Sequence, residues 1–225
     1  MLNVNNTTSI IKSMRVLILI TVMIYQLSYT TTQAVSPPDG FTRLFNGNNL
    51  KGWDYDGSGH WKAEKGLLVY DGGGWAPYPN TIFKRNLHTQ QEYEDFILLI
   101  DWKIHKDGNS GIFLRSGMER ESDDIQVEIW DRTATVYSSP YGSGGIVGYN
   151  EKERIPLETA DSPLGQWNHF QIRVEKSLVT IHLNGKLVLD RFAADFQKSK
   201  GPIVLQHHGS PLWFKNIYIK ELQKP

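Results

Sequence analysis

The chain of 225 residues contains no cysteine. That absence excludes a disulfide framework, a thiolate zinc site, an iron–sulfur cluster and a cysteine nucleophile, and with them any anchor that needs a lipidated cysteine. An excess of either charge is also missing, with 24 Lys+Arg against 24 Asp+Glu. Near neutrality argues against a nucleic-acid binder or an anionic-membrane binder, both of which usually carry a basic excess. No apolar run reaches the ~20 residues that span a bilayer. No GxSxG elbow is present, so nothing points to a serine hydrolase. The glycine clusters Asp71-Gly-Gly-Gly-Trp75 and Gly142-Ser-Gly-Gly145 lack a following lysine and helix, and read as turns rather than phosphate loops. His105, His169 and His182 fall in no HxH or HExxH pattern, which argues against a zinc enzyme.

What is there begins with an address. Lys12 and Arg15 precede the short apolar run Val16–Tyr25, a polar stretch Gln26–Gln33 and the small Ala34. This order reads as a secretory signal peptide over residues 1–34, cleaved near Ala34. The reading gives a periplasmic or secreted protein, free of the membrane once processed. The first 34 residues hold two of the 24 basic residues and no acid, leaving 22 against 24 and a net charge of −2 on residues 35–225. That length suits a single domain with its own core.

The remainder is rich in β-branched and aromatic residues and is punctuated by glycine. Strands are expected at Phe96–Ile104, Ser110–Arg115, Ile125–Trp130, Asn168–Val174, Leu178–Leu183, Lys186–Leu189, Ile203–Gln206 and Leu212–Ile219. Asn184-Gly185 between two of them is a strong two-residue hairpin signal. Lys65-Gly66 marks a second hairpin within Trp61–Tyr70. Short strands with turn residues between them indicate an all-β antiparallel sandwich or barrel. Only Arg191–Lys198 suggests a short helical turn. The stretch from Arg132 to Pro163 is a long Gly- and Ser-rich loop carrying Tyr137, Tyr141 and Tyr149, either functional or a variable surface decoration.

The most informative segment is Ile125-Gln-Val-Glu-Ile-Trp-Asp131. Side chains alternate across a strand, so Ile125, Val127 and Ile129 face the core while Gln126, Glu128 and Trp130 share the other face. An amide, a carboxylate and an indole side by side on an open sheet face suit a sugar, the indole stacking on a ring and the polar pair bonding hydroxyls or moving protons. Asp131 falls on the core side by parity, at a strand end where a turn can re-aim it. If the strands pair, Arg115 shares the face of Glu128, either to hold a carbonyl oxygen or to form a structural ion pair. Gln206 and His208 share one face of their strand and His207 the other. The Asp-rich run Glu119–Asp124 lacks EF-hand spacing and reads as a solvated loop.

Seven ordered motifs carry a family resemblance: Gly40-Phe-Thr-Arg-Leu-Phe-Asn-Gly-Asn-Asn-Leu-Lys-Gly-Trp53, Asn109-Ser-Gly-Ile-Phe-Leu-Arg115, Gln126-Val-Glu-Ile-Trp-Asp131, Gly165-Gln-Trp-Asn168, Leu183-Asn-Gly185, Gly201-Pro-Ile-Val-Leu-Gln-His-His-Gly209 and Trp213-Phe-Lys-Asn-Ile217. Over about residues 40–222 the chain resembles the 3-keto-disaccharide hydrolase domain family, also described as a 3-keto-glucoside 1,2-lyase / 3-keto-2-hydroxy-glucal hydratase domain. Many members have Glu-x-Gln-x-x-Asp where this chain has Gln126-x-Glu128-x-x-Asp131, so acid and amide are exchanged on one face. The resemblance implies a concanavalin A-like lectin/glucanase fold, a jelly-roll sandwich with its site on the concave face. It implies cleavage of 3-keto-glycosides through loss of the C2 proton, elimination at C1 and addition of water. Glu128 and His208 would be base and acid in either order, and Arg115 would steady the enolate oxygen. Asn109, Gln126, Gln206, Trp130 and Asp131 would bind substrate. The resemblance names no certain cofactor, and a divalent cation could take the place of Arg115. A separate oxidoreductase would supply the keto sugar. The other readings are a non-catalytic carbohydrate-binding module and a conventional glycosidase, the latter weakened because Glu128 has no second carboxylate at strand spacing.

Overall fold

The computed structural model describes residues 36–55, 60–73, 86–119, 124–135, 139, 141–148 and 154–223. The expected leader, Tyr137 and Tyr149 lie outside these residues, as does most of the Asp-rich run. Among the described residues there are thirteen strands and no α-helix: β1 Thr42–Arg43, β2 Trp53–Asp54, β3 Trp61–Glu64, β4 Leu67–Tyr70, β5 Leu87–Thr89, β6 Phe96–Ile104, β7 Asn109–Leu114, β8 Ile125–Trp130, β9 Asn168–Glu175, β10 Leu178–Leu183, β11 Lys186–Ala193, β12 Val204–Leu205 and β13 Leu212–Glu221. They form two antiparallel sheets. The larger runs β11-β10-β9-β6-β13-β4-β3, with β1 also on β13, and the smaller runs β2-β5-β12-β7-β8.

The period-2 pattern explains why the sheets stack. In β6, Phe96, Leu98, Ile100, Trp102 and Ile104 are buried and the residues between them are not. In the smaller sheet Ile112, Leu114, Val127, Ile129 and Leu205 meet them in one apolar cluster. Each such side chain contributes roughly 1.5–3 kcal/mol on burial. The result is the two-sheet all-β antiparallel sandwich expected from the sequence.

Both hairpin signals are realised with positive φ at both turn residues: 51° and 80° at Lys65 and Gly66, 52° and 81° at Asn184 and Gly185. These values are those of a primed turn, whose twist matches the strands it joins. One expectation fails. No helical turn forms over Arg191–Lys198, because β11 continues to Ala193. Arg191, at φ 47°, lets the strand kink and go on pairing with β10.

Candidate active site

The register of the smaller sheet builds the site on the face away from the core. Asn109 lies opposite Trp130, Gly111 opposite Glu128, and Phe113 opposite Gln126. Val204 lies opposite Phe113, and the Gln206 amide donates to the Gly111 carbonyl, which brings Gln206 level with Gly111. Continuing that register brings His208 level with Asn109. On the far edge, the backbone of residues 143–147 runs along β8. Glu128 N–H donates to the Gly145 carbonyl, Gly144 N–H to the Glu128 carbonyl, and Val147 N–H to the Gln126 carbonyl. The long loop between Arg132 and Pro163 therefore adds an edge to the sheet at this point.

Three cross-strand rows result. The innermost, Val204, Phe113 and Gln126, is buried. The middle row is Gln206, Gly111, Glu128 and Gly145, with Gln206 and Glu128 only 5 % and 4 % exposed. The outer row is His208, Asn109 and Trp130, of which Asn109 and Trp130 are half-buried and His208 is exposed. This corrects the expectation of an open face, since Gln126 and Glu128 are covered and only the outer row reaches solvent. The arrangement is a buried polar floor behind a half-exposed rim.

The floor is held by a short network. Gln126 Nε2 donates to Gln206 Oε1 at 3.1 Å, and the Ser110 hydroxyl donates to the Gln206 carbonyl at 2.8 Å. A Cβ on Gly111 would sit 2.2 Å from Gln126 Nε2. Glycine at 111 is what lets the Gln126 amide lie across the strand toward Gln206.

Electrostatics separate the two candidate proton-transfer groups. Burial pushes the Glu128 carboxyl up to about 8, with no cation or donor among the described residues offsetting it. His208 is exposed only in part, and desolvation of the rest pulls it below the ordinary histidine value, against a backbone hydrogen bond that raises it. Near neutrality Glu128 thus holds its proton and His208 is uncharged. Two groups whose environments push them in opposite directions suit opposite roles in proton transfer. His207 points inward, its ring 5.1 Å from that of Tyr70, as the alternation predicts.

Two expected site residues stand elsewhere. Arg115 does not join Glu128. It follows the end of β7 with φ 49°, and its guanidinium donates to Asp95 Oδ1 at 2.7 Å and to the Glu94 carbonyl, over the ring of Phe196. It is an ion-paired structural residue, paired to Asp95 rather than to Glu128. Asp131 is buried in a turn, where Oδ1 accepts from the Thr133 amide and hydroxyl at 2.9 and 2.7 Å and Oδ2 from the Asp107 amide at 2.7 Å. Burial alone would raise this carboxyl, but these bonds and the charge of Lys106 hold it below the usual range. Among the described residues, no three His, Cys, Asp or Glu side chains come together as a metal site.

The family pattern for the 3-keto-alpha-glucoside-1,2-lyase-like domain matches residues 40–220. The chain belongs to this family. A relative, the 3-keto-disaccharide hydrolase of Bacteroides thetaiotaomicron, is 24 % identical over 82 % of this chain and 79 % of its own. Two solved structures of candidate glycosyl hydrolases from Parabacteroides distasonis share the fold. They have TM-scores of 0.64 and 0.63 at 23 % and 24 % identity, covering 82 % and 81 % of this chain and 95 % and 99 % of theirs.

Within this family member, the motif residues divide by task. Asn109-Ser-Gly111, Gln126-Val-Glu128 and Gln206 build the floor and rim. Arg115 and Asp131 fasten the ends of the strands that carry them. The sequence reading did not single out Ser110, Gly111 or the backbone of residues 143–147 as parts of the site. Ser110 and Gly111 stood inside a quoted motif, so their signal was available. The edge supplied by residues 143–147 has no side-chain signature.

Proposed function

We propose that this protein is an exported enzyme that cleaves glycosidic bonds of sugars already oxidised at C3. The observation that carries the reading is Glu128, a buried carboxyl with a pKa of about 8 set among amides on a sheet face. Membership in the family and the name of the Bacteroides relative support the substrate class.

The chemistry needs few groups. A ketone at C3 acidifies the C2 proton, because the electron pair left behind becomes an enolate. His208, uncharged at neutral pH, takes that proton. The enolate re-forms the C3 ketone as the C1–O bond breaks, and Glu128 gives its proton to the departing oxygen. Water then adds across C1=C2, so the net change is hydrolysis. Gln126 and Gln206 bond ring hydroxyls, Trp130 offers an apolar wall, and the Asn109 amide can donate to the enolate oxygen. A separate oxidoreductase makes the C3 ketone, and the leader over residues 1–34 exports the chain.

The test is a turnover assay on 3-keto-glucosides and their parent glucosides, with and without divalent metal. Aglycone release from the keto forms alone supports the proposal. Release from the parent sugars would favour a conventional glycosidase. No release with retained sugar binding would leave a binding module.

A further inference from the structure

A second site lies at the end of the sandwich, where β6 and β8 stop. A cavity of about 300 Å³ is lined there by Trp102 and Ile104 from β6, Trp130 from β8, and Asp161, Leu164 and Gln166 from the loop before β9. Two of these side chains carry buried polar atoms with no hydrogen-bond partner, the Trp102 indole N–H and Asp161 Oδ2. Trp102 is 2 % exposed, so no solvent relieves its donor. Burial raises the Asp161 carboxyl, offset only in part by a hydrogen bond with Ser143 and the charge of Arg132.

An orphaned buried donor or acceptor costs about 1–3 kcal/mol, and two in the wall of one cavity double that cost. Buried polar groups are paired in nearly all proteins, so an unpaired set calls for a missing partner. Here the orphans are one donor and one acceptor. A hydroxyl group satisfies both at once, accepting from the indole and donating to the carboxyl. An apolar ligand would leave both costs standing, and an anion would meet Asp161 and Asp131. The volume is at the low end of ligand pockets, the size of one sugar ring rather than a chain. The half-exposed indole of Trp130 and the exposed Leu164 supply apolar wall for a ring face.

We propose that this cavity binds a single sugar ring, one hydroxyl of which bridges the Trp102 indole N–H and the Asp161 carboxylate. The exposed Pro163–Gln166 turn of the loop before β9 forms part of the same lining. Trp130 lines this cavity and is also the rim residue beside Asn109. The two sites therefore share a wall, and a glycoside with its reacting ring on the floor has a place for its second ring. That last step, and the choice of a sugar among hydroxylated rings, rest on the function proposed above.

The test is equilibrium titration of the purified protein with glucose, methyl glucoside and an unoxidised disaccharide, read by tryptophan fluorescence and calorimetry. Saturable binding is expected, weakened about tenfold by Trp102→Phe, which removes the indole N–H together with part of a buried ring, and by Asp161→Asn, which keeps the side chain's shape. If Trp102→Phe fails to fold, Asp161→Asn on the loop decides alone. No saturable binding up to the solubility of the sugars, or binding that both variants retain in full, would overturn the proposal and leave a water-filled end to the sandwich. Failure is separable from that of the proposed function. Sugar binding that depends on these two residues, without keto-sugar turnover, would sink the enzyme and keep this site. Turnover without such binding would do the reverse.

Discussion

Glu128 and Asp131 sit three residues apart, equally hidden at 4 % and 3 % exposed, yet their surroundings treat charge in opposite ways. Asp131 is met by three donors and stays ionised below the ordinary range. Among the described residues no donor is recorded on Glu128, which holds its proton to about pH 8. Depth and donors together set the state of these acids: Glu128 lies deep in the protein with desolvation as the one cause of its shift, while Asp131 lies shallower and is met by N–H groups. In the turn after β8 these groups are free to meet the carboxylate. Within β8 they are spent on the ladder, the Glu128 N–H itself going to Gly145.

The largest expected effect strikes the acid with the raised pKa. Glu128→Gln keeps the shape and removes the proton, so turnover of a 3-keto-glucoside should fall 10²–10⁴-fold, about the span of general acid catalysis. Full activity in this variant would remove Glu128 from the chemistry. The wild-type pH–rate profile sharpens the role: an acid loses rate as pH rises past about 8, and a base gains it.

Arg115→Ala should destabilise the fold by about 3 kcal/mol, by taking the cation from a half-buried Asp95 carboxylate and a buried guanidinium from over the Phe196 ring. Activity per folded molecule should hold, and urea unfolding beside active-site titration would show whether it does. A large loss of kcat in folded protein would return Arg115 to the site.

Stability against pH should separate the two acids. The folded pKa of Glu128 lies above its unfolded value, so its contribution is full below about pH 4.5 and lost as pH rises through about 8. Replacing it with Gln should flatten that fall and make the protein more stable than wild type at pH 8.5. Asp131 runs the other way. Its contribution is full above its unfolded value of 3.8 and lost as pH falls through its lowered folded pKa. Asp131→Ala should cost about 3 kcal/mol at pH 7 and less in acid. Melting curves from pH 3 to 9 would read both, and parallel curves for the two variants would break the contrast.

The smallest effect is expected from Gly111→Ala. The new methyl must displace the Gln126 amide from its bond to Gln206. A tenfold drop in kcat/KM with a shift in Tm of a few degrees would fit an amide that positions a hydroxyl. An unchanged kcat/KM would make the amide pair structural.

Much of this was legible in the residues. The alternation in Phe96–Ile104 and Ile125–Trp130 gave both the strands and their buried faces, because a one-residue slip would turn every side chain around. Asn184-Gly185 and Lys65-Gly66 gave their hairpins because few other residues accept two successive positive φ angles. Co-facial Gln126 and Glu128 were legible from parity alone. Their burial was not, since what covers a sheet face comes from distant segments. Arg115 was misplaced for a related reason. Strand parity holds only inside the strand, and a positive φ one residue past β7 swings the side chain to Asp95. Trp102 and Asp161 meet at one cavity from positions 59 residues apart, with no pattern linking them.

Strand β13 has a consequence for how the chain is made. It lies between β6 on one side and β4, then β1, on the other, with the register shift between Lys215 and Tyr218 marking the change of partner. The last strand is thus the keystone of the larger sheet, and it ties the first strand to the sheet as well. Until Leu212–Glu221 has joined, β6, β4 and β1 have no common neighbour, and nearly every contact that closes the sheet is long in sequence. Before β13 is made, β11-β10-β9-β6 and β3-β4 can form only as two separate pieces of the larger sheet. Loss of those ten strand residues leaves the two pieces unjoined, and should abolish the fold rather than trim it.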